Sequence, residues 1–263
     1  MLDIFLMTIK SFEQQRRIQV YLPRSYQFGE KKYPVLYMHD GQNVFQDGEA
    51  IGGVSLELES YLDETGLDVI VVAIDQNSDE RKNEYCPWEN GAYSQKFLGA
   101  ESSSFGGKGK QYIEFIVEEL KPSIDKKYRT IENQTAMAGI SMGGLITLYA
   151  ACLYPKVFKD LYVFSGAFYA NQEKIEDLLE ATDLSAIRTL YMDCGTDEAG
   201  SGTFVSEEFL ASNHAIYEVV KRKVPAANFK VLEEKEHNYR SFQKRVPQLF
   251  FFLISEVIPE GCR

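Results

Sequence analysis

The chain has 263 residues, a formal net charge of −11 and a sequence pI near 4.9. Its hydrophobic fraction of 44% and charged fraction of 25% are typical of soluble globular proteins and argue against disordered and fibrous classes. A protein with this negative charge repels phosphate backbones and anionic lipid surfaces. We therefore expect neither nucleic acid nor a membrane as a partner.

The N-terminal stretch MLDIFLMTIKSFEQQRR has neither a basic leader nor a small-residue cleavage site. No apolar run approaches the ~20 residues that are needed to span a bilayer. We therefore expect a cytoplasmic protein. No internal repeat and no long Pro/Gly/Ser-rich linker divides the chain, which predicts a single domain over residues 1–263.

The four cysteines, at positions 86, 152, 194 and 262, are widely separated and form no CxxC pair. This spacing predicts reduced thiols rather than a zinc site or a disulfide framework. Cys152 and Cys194 lie in apolar segments, where a free cysteine packs as a small hydrophobic residue.

The predicted elements alternate between strands and helices along most of the chain. Near the N-terminus, FLMTIK and RRIQVYLP have strand patterns separated by a polar turn, which predicts an antiparallel pair. Six further segments are typical of buried parallel strands: YPVLYMHD, DVIVVAID, TAMAGI, DLYVFSGAF, TLYMDCG and FKVLEEKEH. The helix-like segments are LELESYLDET, KQYIEFIVEELKPSIDKKY, SMGGLITLYAACLY, SEEFLASNHAIYEVVKRK and KRVPQLFFFLISEV. This alternation predicts an α/β fold with a mainly parallel central sheet and helices on both faces.

Residues 76–110 show no regular periodicity and contain Trp88 with several other aromatic residues. A connection this long in a compact domain is usually a functional loop or a flexible segment. We expect it to be an active-site loop that covers a ligand.

The stretch GISMGG, residues 139–144, lies between the strand-like TAMAGI and a helix-like apolar run. The spacing G-x-S-x-G between a strand and a helix is the signature of a nucleophile elbow, in which a strained serine exposes its hydroxyl. Gly139 and Gly143 lack Cβ atoms, which would let the strand and the helix approach closely. We therefore predict that Ser141 is a nucleophile. The alternative is a glycine-rich turn whose serine only caps the helix.

A serine hydroxyl needs a base that takes its proton, and the chain has three histidines, at positions 39, 214 and 237. Where this elbow occurs, the order along the chain is Ser, then acid, then His, which excludes His39 as the base. His214 lies in a helix pattern and is predicted to be a packed or surface residue. His237 follows the last predicted strand and is the predicted base.

The acid should lie between Ser141 and His237 in the chain and orient the imidazole. The turn after TLYMDCG offers Asp197 and Glu198, and reasoning from the residues alone does not separate the two. Asp193 lies within the strand itself and ranks third, because a polar group there can simply be satisfied at the end of the sheet.

Two backbone N–H groups are predicted to stabilise the oxyanion of a tetrahedral intermediate. One belongs to Met142 at the start of the helix, where N–H groups lack helical partners. The other belongs to Gln42 in the loop YMHDGQNVF, where Gly41 would let the backbone approach the substrate. His39 and Asp40 are predicted to brace this loop.

Taken together, these segments resemble the Putative esterase family of α/β-hydrolases, which includes feruloyl and acetylxylan esterases, S-formylglutathione hydrolase, siderophore esterases and mycolyltransferases. The matching segments are YPVLYMHDGQN, EELKPSIDKKYRT, GISMGGLITLYAACLYP, DCGTDE and EHNYRSF, which together span most of the chain. The resemblance implies the α/β-hydrolase fold and a serine hydrolase of carboxylic esters, with Ser141 as nucleophile and His237 as base. The family usually shows G-x-x-D or G-x-x-E after the strand, which places Glu198 at the acid position and favours it over Asp197.

The resemblance also bears on the substrate. The segment EYCPWENGAY looks like the one that shapes the substrate pocket in relatives, which implies Trp88 and Tyr93 as pocket walls. The alternative for Trp88 is a loop anchor packed on the core. A small-molecule ester is the implied substrate, and this chemistry needs no metal or organic cofactor.

Two other functions remain open from the sequence. An alcohol rather than water could accept the acyl group, as in the mycolyltransferases. The chain could also be a hydrolase-like scaffold that binds a ligand without turnover, because fold alone does not establish function.

Overall fold

The computed structural model describes residues 1–99 and 103–254, and within these ranges eight strands form one sheet. The strands are Leu2–Ile9 (β1), Gln14–Tyr21 (β2), Tyr33–Met38 (β3), Ile70–Ile74 (β4), Thr130–Ile140 (β5), Asp160–Phe164 (β6), Thr189–Gly195 (β7) and Ala227–Leu232 (β8). Their order across the sheet is β1-β2-β4-β3-β5-β6-β7-β8. β2 is antiparallel to both β1 and β4, and the other neighbours are parallel. The predicted α/β-hydrolase architecture with an N-terminal antiparallel pair is confirmed.

Eight of the ten helices in the described residues lie between strands along the chain, and the last two follow β8. The helices are Leu58–Thr65 (α1), Arg81–Tyr85 (α2), Ala92–Leu98 (α3), Gly109–Glu114 (α4), Lys121–Lys127 (α5), Met142–Leu153 (α6), Gln172–Ala181 (α7), Phe204–Val220 (α8), Tyr239–Gln243 (α9) and Phe251–Ile254 (α10). A π-helical segment, Phe115–Leu120, joins α4 to α5, so the predicted long helix is continuous but changes its winding.

The central strands of the sheet are buried on both faces, as their apolar sequences predict. In β3, Val35 and Tyr37 pack in one hydrophobic cluster, while Leu36 and Met38 pack in the cluster on the opposite face. Successive side chains of a strand point to opposite faces, so a strand buried on both sides is apolar throughout rather than alternating.

The structure corrects several predicted elements. Residues 76–110 contain α2 and α3 rather than an irregular loop alone. β8 ends at Leu232, so His237 lies in the following loop and not directly after a strand. The helix α7 was not predicted, and its buried apolar stripe consists of only Ile175 and Leu179.

At the C-terminal end, the predicted helix KRVPQLFFFLISEV begins instead with a 3₁₀ turn, Val246–Phe250, followed by α10. The rest of that prediction lies outside the described residues. Cys86, Cys152 and Cys194 are buried free thiols, while Cys262 lies outside the described residues. Within the described ranges, none of the helices combines the length and apolar character that crossing a bilayer requires.

The topology of the sheet collects chemically active residues at one edge. β3, β5, β6 and β7 are parallel neighbours, so their carboxyl ends meet at the same edge. The residues that directly follow these four strands are His39, Ser141, Ser165 and Thr196. In open α/β sheets, ligands bind beyond this edge.

Candidate active site

Ser141 lies at a sharp turn between β5 and α6, with φ 59° and ψ −124°. Its backbone N–H donates to the carbonyl of Phe164 at 3.0 Å, and its carbonyl accepts from Gly144 and Ala167, each at 2.9 Å. A serine at positive φ is uncommon, and such strain persists only where surrounding contacts hold it. This geometry is that of the predicted elbow.

The glycines around Ser141 are needed for different reasons. A Cβ at Gly139 would overlap the carbonyl of Gly143, so strand and helix touch through backbone here. A Cβ at Gly144 would lie 2.6 Å from the Val163 side chain. At Gly143 the nearest atoms would be 3.6 Å away, an ordinary contact. The close approach predicted for Gly139 and Gly143 therefore requires glycine at 139 and 144 instead.

Gly139→Ala is expected to lower the free energy of unfolding by at least about 2 kcal/mol, because the added methyl overlaps rigid backbone. Gly143→Ala provides the matched control, with an expected change below about 1 kcal/mol, since alanine is tolerated in a helix and the space is free. Urea unfolding of both variants measures the difference. Equal losses of stability would contradict the packing argument.

His237 is hydrogen-bonded to Glu198, with 2.5 Å between Nδ1 and Oε2. The Glu198 side chain is 1% exposed and that of His237 is 28% exposed, so the carboxylate is buried behind an imidazole that solvent and substrate can reach. Burial raises the pKa of Glu198, but the hydrogen bond and charge of His237 together with the hydrogen bonds from Ser165 and Gly195 outweigh burial, and the pKa falls below its usual value. This carboxylate therefore stays ionised next to the imidazole.

The other two acid candidates have different partners. The Asp197 carboxylate accepts from the hydroxyl of its neighbour Thr196 at 3.1 Å. Asp193 is fully buried and forms an ion pair with Arg245 at 2.8 Å. His214 also lies elsewhere, exposed on α8 with its ring against Phe229.

The loop after β3 carries the predicted oxyanion donor Gln42. The Gln42 side chain donates to the carbonyl of Gln76 at 2.7 Å and accepts from the backbone N–H of Gln76 at 2.9 Å. The backbone N–H groups of Gln42 and Met142 donate to no group within the described residues. Both donors are thus available for a ligand.

Gly41 is required for a reason that differs from the predicted one. A Cβ at this position would lie 2.5 Å from the Asp75 carboxylate and 2.7 Å from the Asp75 nitrogen. Glycine is therefore needed because the loop passes against the end of β4, rather than for an approach to the substrate.

Asp40 and His39 hold the same loop from beneath. Asp40, at φ 57°, accepts two hydrogen bonds from Arg81, at 2.7 and 2.8 Å, and its N–H donates to the Tyr85 hydroxyl at 3.0 Å. His39 Nδ1 lies 2.9 Å from the Tyr112 hydroxyl. These contacts agree with the predicted bracing role.

Acidification is expected to destabilise the fold through His39. Burial lowers the pKa of His39 from 6.5 to about 4. Between these pH values the unfolded chain binds a proton that the folded protein does not, so the free energy of unfolding falls as the pH drops through this window. The expected loss from this group is about 3 kcal/mol. Urea unfolding at pH 7 and pH 4.5 should show a shallower pH dependence for His39→Gln than for the original chain, and parallel curves would contradict the prediction.

Two clefts meet at Ser141 and His237, with volumes of about 420 and 360 Å³. The first, here called the aromatic cleft, is walled by Phe97, Tyr169 and Phe209. Phe97 stacks on Tyr169 with ring centroids 4.0 Å apart, and Phe209 packs edge-on against the His237 ring at 5.4 Å.

The second cleft, here called the polar cleft, has a different lining. It contains Asn43, Gln76 and Tyr239 together with the Asp40–Arg81 pair. Arg81 lines both clefts, Lys82 also lines the aromatic cleft, and Ile51, Ile140 and Phe242 also line the polar cleft. The two sides of the site thus differ mainly in that three aromatic rings wall the first and uncharged hydrogen-bonding groups wall the second.

The predicted pocket walls Trp88 and Tyr93 line neither cleft. Trp88 packs edge-on against Tyr149, with ring centroids 5.2 Å apart, and its carbonyl accepts from the Asn171 side chain at 2.9 Å. This is the anchoring role given as the alternative for Trp88. The Tyr93 hydroxyl instead lies 3.3 Å from Glu208. The backbone of this segment is tied to Asn171 and Glu173 at the start of α7, and the Tyr93 side chain contacts Glu208 on α8, so neither predicted wall faces the clefts.

Several residues that the fold brings to the site were not predicted from the sequence. Arg81 and Phe97 belong to residues 76–110, where no periodicity distinguishes one side chain from another. The apolar sequence neighbours of Tyr169 and Phe209 are typical of core residues and did not indicate a place in the site. The run of parallel strand ends is the signal that could have pointed to Ser165, which directly follows β6.

A family model described as "Putative esterase" matches residues 9–252, so the chain belongs to this family of carboxylic ester hydrolases. It is 28% identical over 214 residues to the Uncharacterized protein YbbA of Bacillus subtilis, covering 79% of each chain. It is 24% identical over 212 residues to an endo-1,4-beta-xylanase/feruloyl esterase of Xylanibacter ruminicola, covering 76% of this chain and 25% of that protein. Among solved structures, an IroE-like serine hydrolase from Shewanella oneidensis superposes with a TM-score of 0.79 at 19% identity, covering 98% of this chain and 82% of that one.

Proposed function

We propose that the protein hydrolyses carboxylic esters in two steps through an acyl-enzyme at Ser141, with His237 as the general base and Glu198 as the triad acid. Ser141 attacks the ester carbonyl while His237 takes its proton, and the leaving alcohol receives that proton. Water then attacks the acyl-enzyme with help from the same imidazole. The observation that carries this proposal is the 2.5 Å contact between His237 Nδ1 and Glu198 Oε2 beside a serine at φ 59°.

Each charge that develops in this reaction lies near a group that can stabilise it. Glu198 accepts a hydrogen bond from Nδ1 of the imidazole, which leaves Nε2 free to take the serine proton. The negative charge of Glu198 stabilises the imidazolium that forms. The free N–H groups of Gln42 and Met142 are the proposed donors to the oxyanion. Losing one such donor typically costs about 10²–10³ in rate.

The two clefts support a small-molecule ester with chemically different halves. The aromatic cleft suits an aromatic or bulky apolar group, and the polar cleft suits a group that forms hydrogen bonds. A relative that carries the name feruloyl esterase is in keeping with an aromatic acyl group. Comparing kcat/KM for cinnamoyl-type and acetyl esters of one alcohol tests this substrate class, and a preference for acetyl esters would contradict it.

A fluorophosphonate probe tests the nucleophile directly, because such probes modify only activated serines. We expect one covalent adduct per chain, located at Ser141 by peptide mass spectrometry. Ser212→Ala, which removes a buried serine outside both clefts, should label as fully as the original chain. An unlabelled chain, or an adduct at another serine, would overturn the proposed mechanism.

A further inference from the structure

A buried polar network lies behind Glu198, on the side away from His237. It consists of Ser165, Asp193 and Arg245, which are exposed by 0%, 0% and 5%. Arg245 Nη1 lies 2.8 Å from Ser165 Oγ and 2.8 Å from Asp193 Oδ1, and Ser165 Oγ lies 2.5 Å from Glu198 Oε1. The network thus connects a buried cation to the proposed triad acid through one hydroxyl.

The chemistry of these groups fixes the direction of each hydrogen bond. A guanidinium only donates, so Ser165 Oγ accepts from Arg245. The single hydroxyl hydrogen of Ser165 is then left for Glu198 Oε1, which as part of an ionised carboxylate only accepts. The positive end of the Ser165 hydroxyl therefore points at the carboxylate.

This arrangement controls which oxygen of Glu198 faces the imidazole. Oε1 receives both the Ser165 hydroxyl and the backbone N–H of Gly195, the latter at 2.6 Å. Oε2 is left for His237 Nδ1. Hydrogen bonds to the charged form of a carboxylate favour that form, so the same contacts hold it ionised.

The backbone of Ser165 is a second, independent observation. Ser165 lies at φ 46°, in the left-handed region that glycine tolerates and other residues rarely adopt. A glycine would relieve this strain but would carry no hydroxyl. Strained residues of this kind cluster at functional sites, where surrounding structure holds them.

We propose that Ser165 and Arg245 are positioning residues for the triad acid, which hold Glu198 ionised and directed at His237. The inference rests on the proposed function, because it assigns a task to residues that act through Glu198. Asp193 belongs to the same network, because its ion pair with Arg245 keeps the guanidinium in place.

Ser165→Gly tests the proposal, because it removes the hydroxyl while relieving the backbone strain that another residue would face. We expect kcat to fall by about 10- to 100-fold, as for a displaced catalytic group, with KM changed less than about threefold. We also expect the acid limb of the kcat/KM profile to move to higher pH by about half a unit or more, because the Glu198–His237 pair loses a donor that disfavours its protonation.

Ser212→Ala is the matched control, since it removes a buried serine hydroxyl whose partner is Gln172, outside both clefts. Loss of a buried hydrogen bond alone would affect both variants in the same way. Only a positioning role moves the pH profile of Ser165→Gly. Arg245→Lys, which keeps the charge, should retain more of kcat than Arg245→Met.

An unchanged kcat and pH profile in Ser165→Gly would overturn the proposal. That result is distinguishable from failure of the proposed function. If only this inference fails, Ser141→Ala is still inactive while Ser165→Gly is fully active. If the function itself is wrong, Ser141→Ala remains active.

Discussion

Ser141→Ala is expected to lower kcat on p-nitrophenyl acetate by about 10⁴- to 10⁶-fold, the range found when a triad nucleophile is removed. The acyl-enzyme route needs an oxygen at this position, and alanine leaves only the oxyanion donors and substrate binding. KM should change little, because the clefts keep their lining. Steady-state kinetics on purified protein provides the measurement.

Ser212→Ala again serves as the control and should keep its activity, since its hydroxyl contacts Gln172 outside both clefts. Circular dichroism and urea unfolding establish that each variant is folded. A loss below tenfold in Ser141→Ala would exclude Ser141 as the nucleophile.

Glu198→Gln is expected to lower kcat by about 10³- to 10⁴-fold, as for an amide replacing the acid in other triads. The amide can present an N–H to His237 Nδ1, which favours the wrong tautomer, and it lacks the charge that stabilises the imidazolium. The fold should survive, because the side chain keeps its size in a buried position. Kinetics at several pH values provides the measurement.

The neighbouring residue supplies a control of the same kind. Asp197→Asn makes the equivalent change one position earlier, where the carboxylate contacts only the Thr196 hydroxyl among the described side chains. Its kcat should stay within about twofold of the original, since this half-buried carboxylate lines neither cleft and does not contact His237. The opposite result, with Asp197→Asn inactive and Glu198→Gln active, would assign the acid to Asp197.

The choice between these two acids shows where sequence reasoning reaches its limit. Both follow β7 in the same short turn, so distance along the chain does not separate them. The backbone N–H of Asp197 donates to the carbonyl of Lys235 at 3.2 Å, which fixes the turn, while the Glu198 side chain extends inwards to His237. The family pattern favoured Glu198, but only the folded turn shows why its side chain points inwards.

The fold was predictable for a simpler reason. Buried parallel strands must be apolar throughout, and helices that cover them must carry an apolar stripe, so burial leaves its pattern in the sequence. The ends of the strands were less predictable. The prediction for β6 ran on to Phe168, and the prediction for the edge strand β8 ran on to His237, because the exposure of β8 gives no sharp end.

The cleft walls were not predictable in the same way. Trp88 was implied as a wall by the resemblance of its segment to the pocket segment of relatives, yet its ring packs against Tyr149. Phe97 lies in the same segment and lines the aromatic cleft. Which of two aromatic residues faces a ligand depends on how the segment is anchored, and the bonds of Asn171 to this segment are long-range contacts that no local pattern records.

The paired hydrogen bonds between the Gln42 side chain and the backbone of Gln76 constrain how this enzyme can be re-engineered. Gln76 begins the segment that supplies Arg81 and Phe97 to the clefts. Grafting a foreign segment here to alter selectivity would also displace the main chain that anchors Gln42, the proposed oxyanion donor, so we expect a new preference to come with a slower enzyme. Exchanging single side chains, at Phe97 for example, leaves that anchor intact and is the more promising route to a changed substrate range.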